Sequence, residues 1–219
     1  MSLHLPHPKE GILMSVPEWL DWSQRIAAIA QSGLTYSSNP FDIERYHALR
    51  EIAAEMMAAY SGASLPEIQS LLDSQTGYTT PKIDMRGVIF RDDRVLLVRE
   101  LADGCWTLPG GWVDVNEPPS RAAEREVLEE SGYVVKARKL LAVYDRNQHG
   151  HPPILFHVYK LYMLCDLIGG QPTVSIETGG AEFYAEDALP QLSTTRTTPE
   201  VIRRLFEHHR HPEWPTDFD

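Results

Sequence analysis

The chain reads as an α/β protein, in which a small all-helical N-terminal domain precedes a domain that mixes strands with helices. Three observations carry that reading. Apolar residues recur at helical spacing up to about Ser74. From Lys82 onward, short runs rich in Val, Ile, Leu and aromatic residues alternate with turn signals. Between the two patterns lies Gln75-Thr76-Gly77-Tyr78-Thr79-Thr80-Pro81, a linker by composition. The expected division is a helical domain over 1–75, a linker over 76–81 and a mixed domain over 82–219.

Each element has a local reason. Trp19, Leu20, Trp22, Ile26, Ala27, Ile29 and Ala30 form the stripe of a first helix, with Ser15 as its cap, Pro17 in its first turn and Gly33 as its end. A second helix follows Asn39-Pro40, carries Phe41, Ile43, Tyr46, Leu49, Ile52, Ala53, Met56 and Met57, and ends at Gly62. A short third helix starts after Ser64-Leu65-Pro66 and carries Ile68, Leu71 and Leu72. Residues 86–90 and 95–98 flank Arg91-Asp92-Asp93-Arg94 as a hairpin, and Trp106-Thr107-Leu108 leads into Pro109-Gly110-Gly111. A helix follows these glycines. Tyr133–Tyr144, Phe156–Cys165 and Ala181–Ala185 are then strand-like, and Thr198–Glu207 is a last helix with Pro199 in its first turn.

Composition removes several function classes. The 219 residues are 42% hydrophobic, enough for a buried core, and carry 20 basic against 31 acidic side chains, a net charge of −11. That balance opposes broad contact with a nucleic-acid backbone or an anionic membrane. No run reaches the roughly 18 apolar residues of a membrane span. Met1–Pro8 has neither a charged start nor a continuous apolar stretch, so a signal peptide is not expected and these residues are read as loose. Cys105 and Cys165 make no disulfide framework and suit a reducing cytoplasm as small apolar residues. The nine histidines, among them His149, His151 and the run His208-His209-Arg210-His211, lack a zinc spacing and are expected at the surface.

The chemistry concentrates after Gly111. Five residues separate it from Glu117, and seven more precede Arg125-Glu126-Val127-Leu128-Glu129-Glu130-Ser131-Gly132. On a helix Glu126, Glu129 and Glu130 share one face, where like charges repel by a few tenths of a kcal/mol per pair. A divalent cation removes that repulsion, and hard ions such as Mg²⁺ favour oxygen ligands and commonly bridge carboxylates to a phosphate. Gly110 and Gly111 let backbone approach a ligand closely, Gly132 suits a left-handed helix end, and Pro118 leaves the first turn without a side-chain cap.

This stretch resembles the Nudix box, matching every fixed position, with Tyr133 in place of a final aliphatic residue. The likeness implies an α/β/α sandwich around a mixed sheet and metal-dependent hydrolysis, with Mg²⁺ or Mn²⁺, of a diphosphate linked to a nucleoside. It implies Glu126 and Glu130 as principal metal ligands, Glu129 as a third metal-binding or water-organising group, the Gly110 carbonyl as a backbone ligand, and Arg125 as the partner of Glu117. Glu177, before a glycine-rich loop, is the first choice for a distal general base, and Glu182 the next. Arg86 and Arg99 are candidates for phosphate contacts, since arginine matches phosphate geometry. Trp106, Trp112 and Tyr144 are candidates for stacking on a base.

The N-terminal helices resemble those preceding the Nudix domain in a bacterial subgroup acting on X-linked nucleoside diphosphates, including CDP-choline and ADP-ribose. The resemblance implies a homodimer, which would cover helix stripes too apolar for a three-helix unit to bury alone. CDP-choline is the first expectation and ADP-ribose the enzymatic alternative. An alternative of another class is a ligand-sensing transcriptional regulator, for which the helices would have to bind DNA. Residues 1–74 hold four basic and nine acidic side chains, the wrong sign for that role.

Overall fold

The computed structural model describes residues 16–219, so the proposed Ser15 cap and the Met1–Pro8 segment lie outside the described residues. The chain divides into two compact units. One comprises the residues up to Pro81 together with Pro152–His157, and the other Lys82–His151 with Val158–Asp219.

In the first unit, α1 spans Glu18–Tyr36, α2 Pro40–Ser61 and α3 Leu65–Asp73. Asn39 caps α2 by accepting from the Phe41 N–H, and Gly62 ends it at φ 76°. A reciprocal capping box between Ser64 and Glu67 starts α3. Gly33 does not end α1. A Cβ there would fall 2.4 Å from the Tyr46 ring, so glycine marks the close approach of α1 to α2. The small core gathers Ala27, Ala53, Ala54, Met57 and Ile68, with Leu155 packed against it. Gln24 Nε2 donates to the carbonyls of Ile154 and Leu155, which ties this distant segment to the helices. Trp22, Ile29, Tyr36, Phe41, Ile52 and Tyr60 are 48–73% exposed, so much of both apolar stripes has no cover among the described residues.

The second unit is built on strands β1 (Lys82–Val88), β2 (Phe90–Arg91), β3 (Arg94–Glu100), β4 (Trp106–Thr107), β5 (Gly110–Trp112), β6 (Tyr133–Asp145), β7 (Val158–Gly170), β8 (Thr178–Tyr184) and β9 (Asp217–Phe218). The main sheet runs β5-β1-β7-β6-β9 and is mixed, since β1 is parallel to β7 and antiparallel to β5. A second sheet centres on β3, which pairs with β2, β4 and β8. Asp92 and Asp93 take positive φ in the tight β2–β3 turn, as right-twisted hairpins require. Helix α4 (Pro119–Ser131) contributes Ala122, Ala123 and Val127 to one core, and α5 (Pro199–Arg210) contributes Val201, Ile202, Leu205 and Phe206 to another. Strand β3 serves both by alternation, with Leu96 and Val98 in the first and Val95 and Leu97 in the second. This is the α/β/α layering expected from the sequence. The pattern did not signal β9, which is two residues long and gains its place by pairing with β6.

Candidate active site

Helix α4 presents the three box glutamates. Its start has no side-chain cap, and its end is Gly132 at φ 76°, whose N–H donates to the Leu128 carbonyl. Ala123 and Val127 are fully buried and anchor the opposite face. Arg125 organises the carboxylates. Its Nε and Nη2 donate to the two oxygens of Glu117 at 2.8 and 2.9 Å, a bidentate pair. Its Nη1 donates to Glu126 at 2.9 Å and to Glu129 at 3.0 Å.

The glycine turn closes on this face from β5. The Gly110 N–H donates to Glu130 Oε2 at 2.8 Å. A side chain at Gly110 (φ 144°) would lie 2.0 Å from the Met85 carbonyl oxygen, and one at Gly111 would meet Glu126 Oε1 at 3.0 Å. Gly110 is therefore required by close packing against backbone, whereas a side chain at Gly111 would displace the Glu126 carboxylate by a few tenths of an ångström. The Thr178 hydroxyl donates to the Glu130 carbonyl, which ties the start of β8 to α4.

Burial drives the electrostatics. It pushes the Glu130 carboxyl up to about 8, against the pull of Arg86 and the Gly110 N–H. Burial also raises Glu126, with Arg125 opposing. Two desolvated carboxylates with incomplete compensation are a hard-oxygen donor set suited to a divalent cation. Glu129, at 58% side-chain exposure, stands at the rim. Among the described residues, no three His, Cys, Asp or Glu side chains converge as a closed metal cage. The Arg125 guanidinium takes Glu126 Oε1 and Glu129 Oε2 and leaves Glu126 Oε2 free among the described residues. Glu126 through that oxygen, Glu130 and the adjoining glycine backbone are thus the more buried groups that fit an ion.

The remaining sequence candidates fall in different places. Arg86 is buried, bound by Nε and Nη2 to both oxygens of Asp84 and by Nη1 to the Leu108 carbonyl, so it is an internal ion-pair partner and presents no free edge to a phosphate. Arg99 is exposed and donates to the Gly104 carbonyl. Tyr144 is buried, donates to Asp217 at 3.0 Å and stacks on His149 with ring centroids 3.7 Å apart, which leaves no free face. Trp106 is half-buried and packs edge-on to Tyr184. Trp112, 51% exposed on β5 beside Gly111, is the most open ring of the three. Glu177 is exposed in a turn held by Ser175 Oγ, and its carbonyl accepts from the Leu101 N–H. Glu182 is exposed and accepts from the Tyr184 hydroxyl. His151 and His208 are buried, contrary to the surface position expected for them, because their loops and helix pack them inward.

Sequence reading missed Glu100. It is buried at the end of β3, pairs with Arg196 at 3.1 Å, and lies close enough to Arg86 and Glu177 to feel both charges. An acid continuing the apolar run Val95–Val98 was the available signal.

Residues 80–205 match the NUDIX domain family, and residues 17–72 match the domain described as Nudix_N, the UDP-X-like N-terminal oligomerisation domain. The chain belongs to the Nudix family. It is 45% identical over 202 residues to a Bacillus subtilis (strain 168) protein named "Putative ADP-ribose pyrophosphatase YjhB", covering 92% of this chain and 97% of that one. An ADP-ribose pyrophosphatase of Methanocaldococcus jannaschii is 34% identical over 122 residues, covering 53% of this chain and 69% of its own. Among solved structures, a UDP-X diphosphatase superposes with a TM-score of 0.61 at 32% identity, covering 94% of this chain and all of that one. An ADP-ribose pyrophosphatase from Streptococcus suis superposes with a TM-score of 0.59 at 38% identity, covering 64% of this chain and 100% of its own. The chain is thus similar to Nudix pyrophosphatases along nearly its whole length, and Nudix hydrolases generally need a divalent metal.

Proposed function

We propose that this chain hydrolyses the phosphoanhydride of a nucleoside diphosphate linked to a second moiety X, releasing a nucleoside monophosphate and phospho-X. The observation that carries the reading is the Arg125–Glu117 clamp, which sets Glu126 and Glu130 against the Gly110–Gly111 backbone. Glu126, Glu130 and the Gly110 carbonyl would hold Mg²⁺ or Mn²⁺, with Glu129 at the rim. Bound there, the ion supplies charge neutralisation for the diphosphate and lowers the pKa of water. The protein's own part is positioning. Arg125 holds Glu117, Glu126 and Glu129 in place by direct hydrogen bonds, and the glycines admit a phosphate close to the main chain. Glu177 is the proposed general base. Its support is its exposure on a turn tied to α4 through the neighbouring Thr178. Trp112 is the proposed stacking surface for a base, supported by its exposure beside Gly111.

ADP-ribose is the first substrate to test, because relatives similar to this chain carry that name, with UDP- and CDP-linked compounds, CDP-choline included, as the next. The exposed helix stripes support a homodimer, and two free cysteines suit a reducing cytoplasm. No described helix is long and apolar enough to cross a membrane. The test is a panel of X-linked diphosphates with product identification, run with Mg²⁺, with Mn²⁺ and with chelator. Hydrolysis of none of them with either metal sinks the reading. Tight sequence-specific DNA binding at low salt would instead revive the regulator.

A further inference from the structure

The connection from β7 to β8, residues 171–177, closes over the C-terminal end of α4. The last carbonyls of a helix have no partner within it. Two of them are met here by this connection. The Thr173 N–H donates to the Ser131 carbonyl at 3.0 Å, and the Thr178 hydroxyl donates to the Glu130 carbonyl at 2.5 Å. The approach is close, since a Cβ on Gly132 would fall 2.4 Å from the Gln171 carbonyl oxygen. Thr178 is fully buried, whereas Glu177 before it is exposed. Glu130 thus meets the glycine turn with its carboxylate and the β7–β8 connection with its main chain.

The protons in this connection can be assigned one by one. A carbonyl only accepts, so the single hydroxyl proton of Thr178 goes to Glu130. The Ser175 and Thr178 hydroxyl oxygens lie 2.9 Å apart. Thr178 has no proton left, so Ser175 is the donor between them. Ser175 Oγ also accepts the N–H of Glu177 at 3.1 Å and the N–H of Thr178 at 3.0 Å. Its one donor and two acceptor sites are then all filled. The result is a one-way relay from the two amides, through Ser175 and Thr178, to the main chain of Glu130. Hydrogen bonds in series polarise and strengthen one another. The Ser175 N–H adds a 2.9 Å bond to the Thr178 carbonyl, and the Leu101 N–H adds one of 2.9 Å to the Glu177 carbonyl.

The backbone around Glu177 is therefore held on two sides, to the end of β3 through Leu101 and to α4 through the relay. Its carboxylate is the contrast, exposed and without a hydrogen bond or ion pair among the described residues. Exposed turns open easily unless such bonds hold them. We propose that Ser175 and Thr178 are positioning residues, whose relay fixes where the Glu177 carboxylate stands relative to Glu126 and Glu130. The proposal rests on the hydrolytic reading above, with Glu177 as the base. A base acts only within reach of the proton it takes, and a misplacement of about 1 Å can cost about a hundredfold. The relay ends on the main chain of Glu130, so the Glu177 turn and the carboxylate face of α4 keep one fixed relation.

The experiment compares Thr178→Val, which removes the hydroxyl and keeps the shape, with Thr178→Ser, which keeps the hydroxyl. Both are made in the full chain and assayed with Mg²⁺ on the best substrate of the panel. Thr178→Val is expected to lower kcat about tenfold with KM changed less than about twofold, and Thr178→Ser to stay within about threefold of the wild type. In a Glu177→Gln background, Thr178→Val is expected to cost nothing further, because residues that act through one group are not additive. Wild-type kcat in Thr178→Val, equal losses in Thr178→Val and Thr178→Ser, or an undiminished loss in the Glu177→Gln background overturns the proposal. Hydrogen exchange on the metal-free chain gives a readout without turnover. The amides of residues 177 and 178 should exchange about tenfold faster in Thr178→Val and in Ser175→Ala, with α5 unchanged. Ser175 is half-buried in a loop, so Ser175→Ala carries this test even if Thr178→Val fails to fold. Unchanged exchange in the folded variants overturns the relay. A wild type that hydrolyses no diphosphate defeats the hydrolytic reading, and a Glu177→Gln variant that keeps its kcat defeats the base. In either case exchange alone still decides whether the relay holds the turn.

Discussion

The acidic face of α4 and the polar cluster between β1 and β7 hold charge in opposite ways. On α4 the charges are negative and graded from Glu129 at the rim to the buried Glu130. Arg125 spreads one guanidinium over Glu117, Glu126 and Glu129, so the arrangement survives with solvent alongside. Between β1 and β7, where Arg86 and Lys160 both bind Asp84, the charges are mostly positive and sealed. Burial alone would raise the Asp84 carboxyl, but Arg86 and Lys160 outweigh it and hold the group well below the usual carboxylate range. The first arrangement can lose a member and still fold. In the second, each member is the reason another can be buried. Function is therefore the sensitive readout for α4, and stability for the β1–β7 cluster.

The largest separation is expected from the box itself. Glu126→Gln and Glu130→Gln keep shape and remove charge, and each should lower kcat by about two to three orders of magnitude, the scale of losing one preorganised electrostatic contact. Circular dichroism should remain that of the wild type, and an unfolded variant would erase the contrast between the two regions. Asp84→Asn is the converse. It leaves Arg86 and Lys160 without their shared carboxylate and should cost about 3–5 kcal/mol in denaturant unfolding. A loss under about 1 kcal/mol would mean that the cluster is no more coupled than a surface pair.

A smaller effect is expected at Glu177. Glu177→Gln should reduce kcat about a hundredfold at neutral pH, the lower range for general-base catalysis. Retention of most of kcat would remove it from the mechanism and leave Glu100 or a box glutamate for that role. The subtlest difference is in pH dependence. The folded pKa of Lys160 is lowered from 10.5 to about 7, so between those values the unfolded chain binds the proton that the folded chain has lost. Stability attributable to this lysine therefore rises with pH across that window. Lys160→Met should flatten the rise in a series of denaturation curves, and an unchanged slope would show that another group supplies it.

The legibility of the two regions follows the range of the interactions. Glu126, Glu129, Glu130 and Arg125 lie within one helical turn and a half, so their shared face is a property of helical pitch. Gly110 and Gly132 were equally legible, because a positive φ and a close backbone contact are local demands. Gly33 misled for a related reason. It looks like a helix end, yet it is there for the ring of Tyr46, a contact between two helices. Arg86 is a phosphate candidate by its guanidinium and Tyr144 a stacking candidate by its ring, and residue type does not reveal that Asp84 and Asp217 engage them internally. His151 looked like a surface residue because nothing in its neighbours announces the Thr194 carbonyl, 43 positions away.

The amino-acid order alone determined the α/β class, the helical region before the mixed domain, and the acidic face with its arginine and glycines. All of these follow from spacing within a helix, a turn or a short strand. Tertiary structure decided which arginine is inside, which aromatic ring stays open, where Glu100 belongs, and that Asp84 and Lys160 meet. Those outcomes depend on β1 lying parallel to β7 in one register, and a pairing across more than seventy residues is set by how whole sheets and helices pack, which no local pattern encodes.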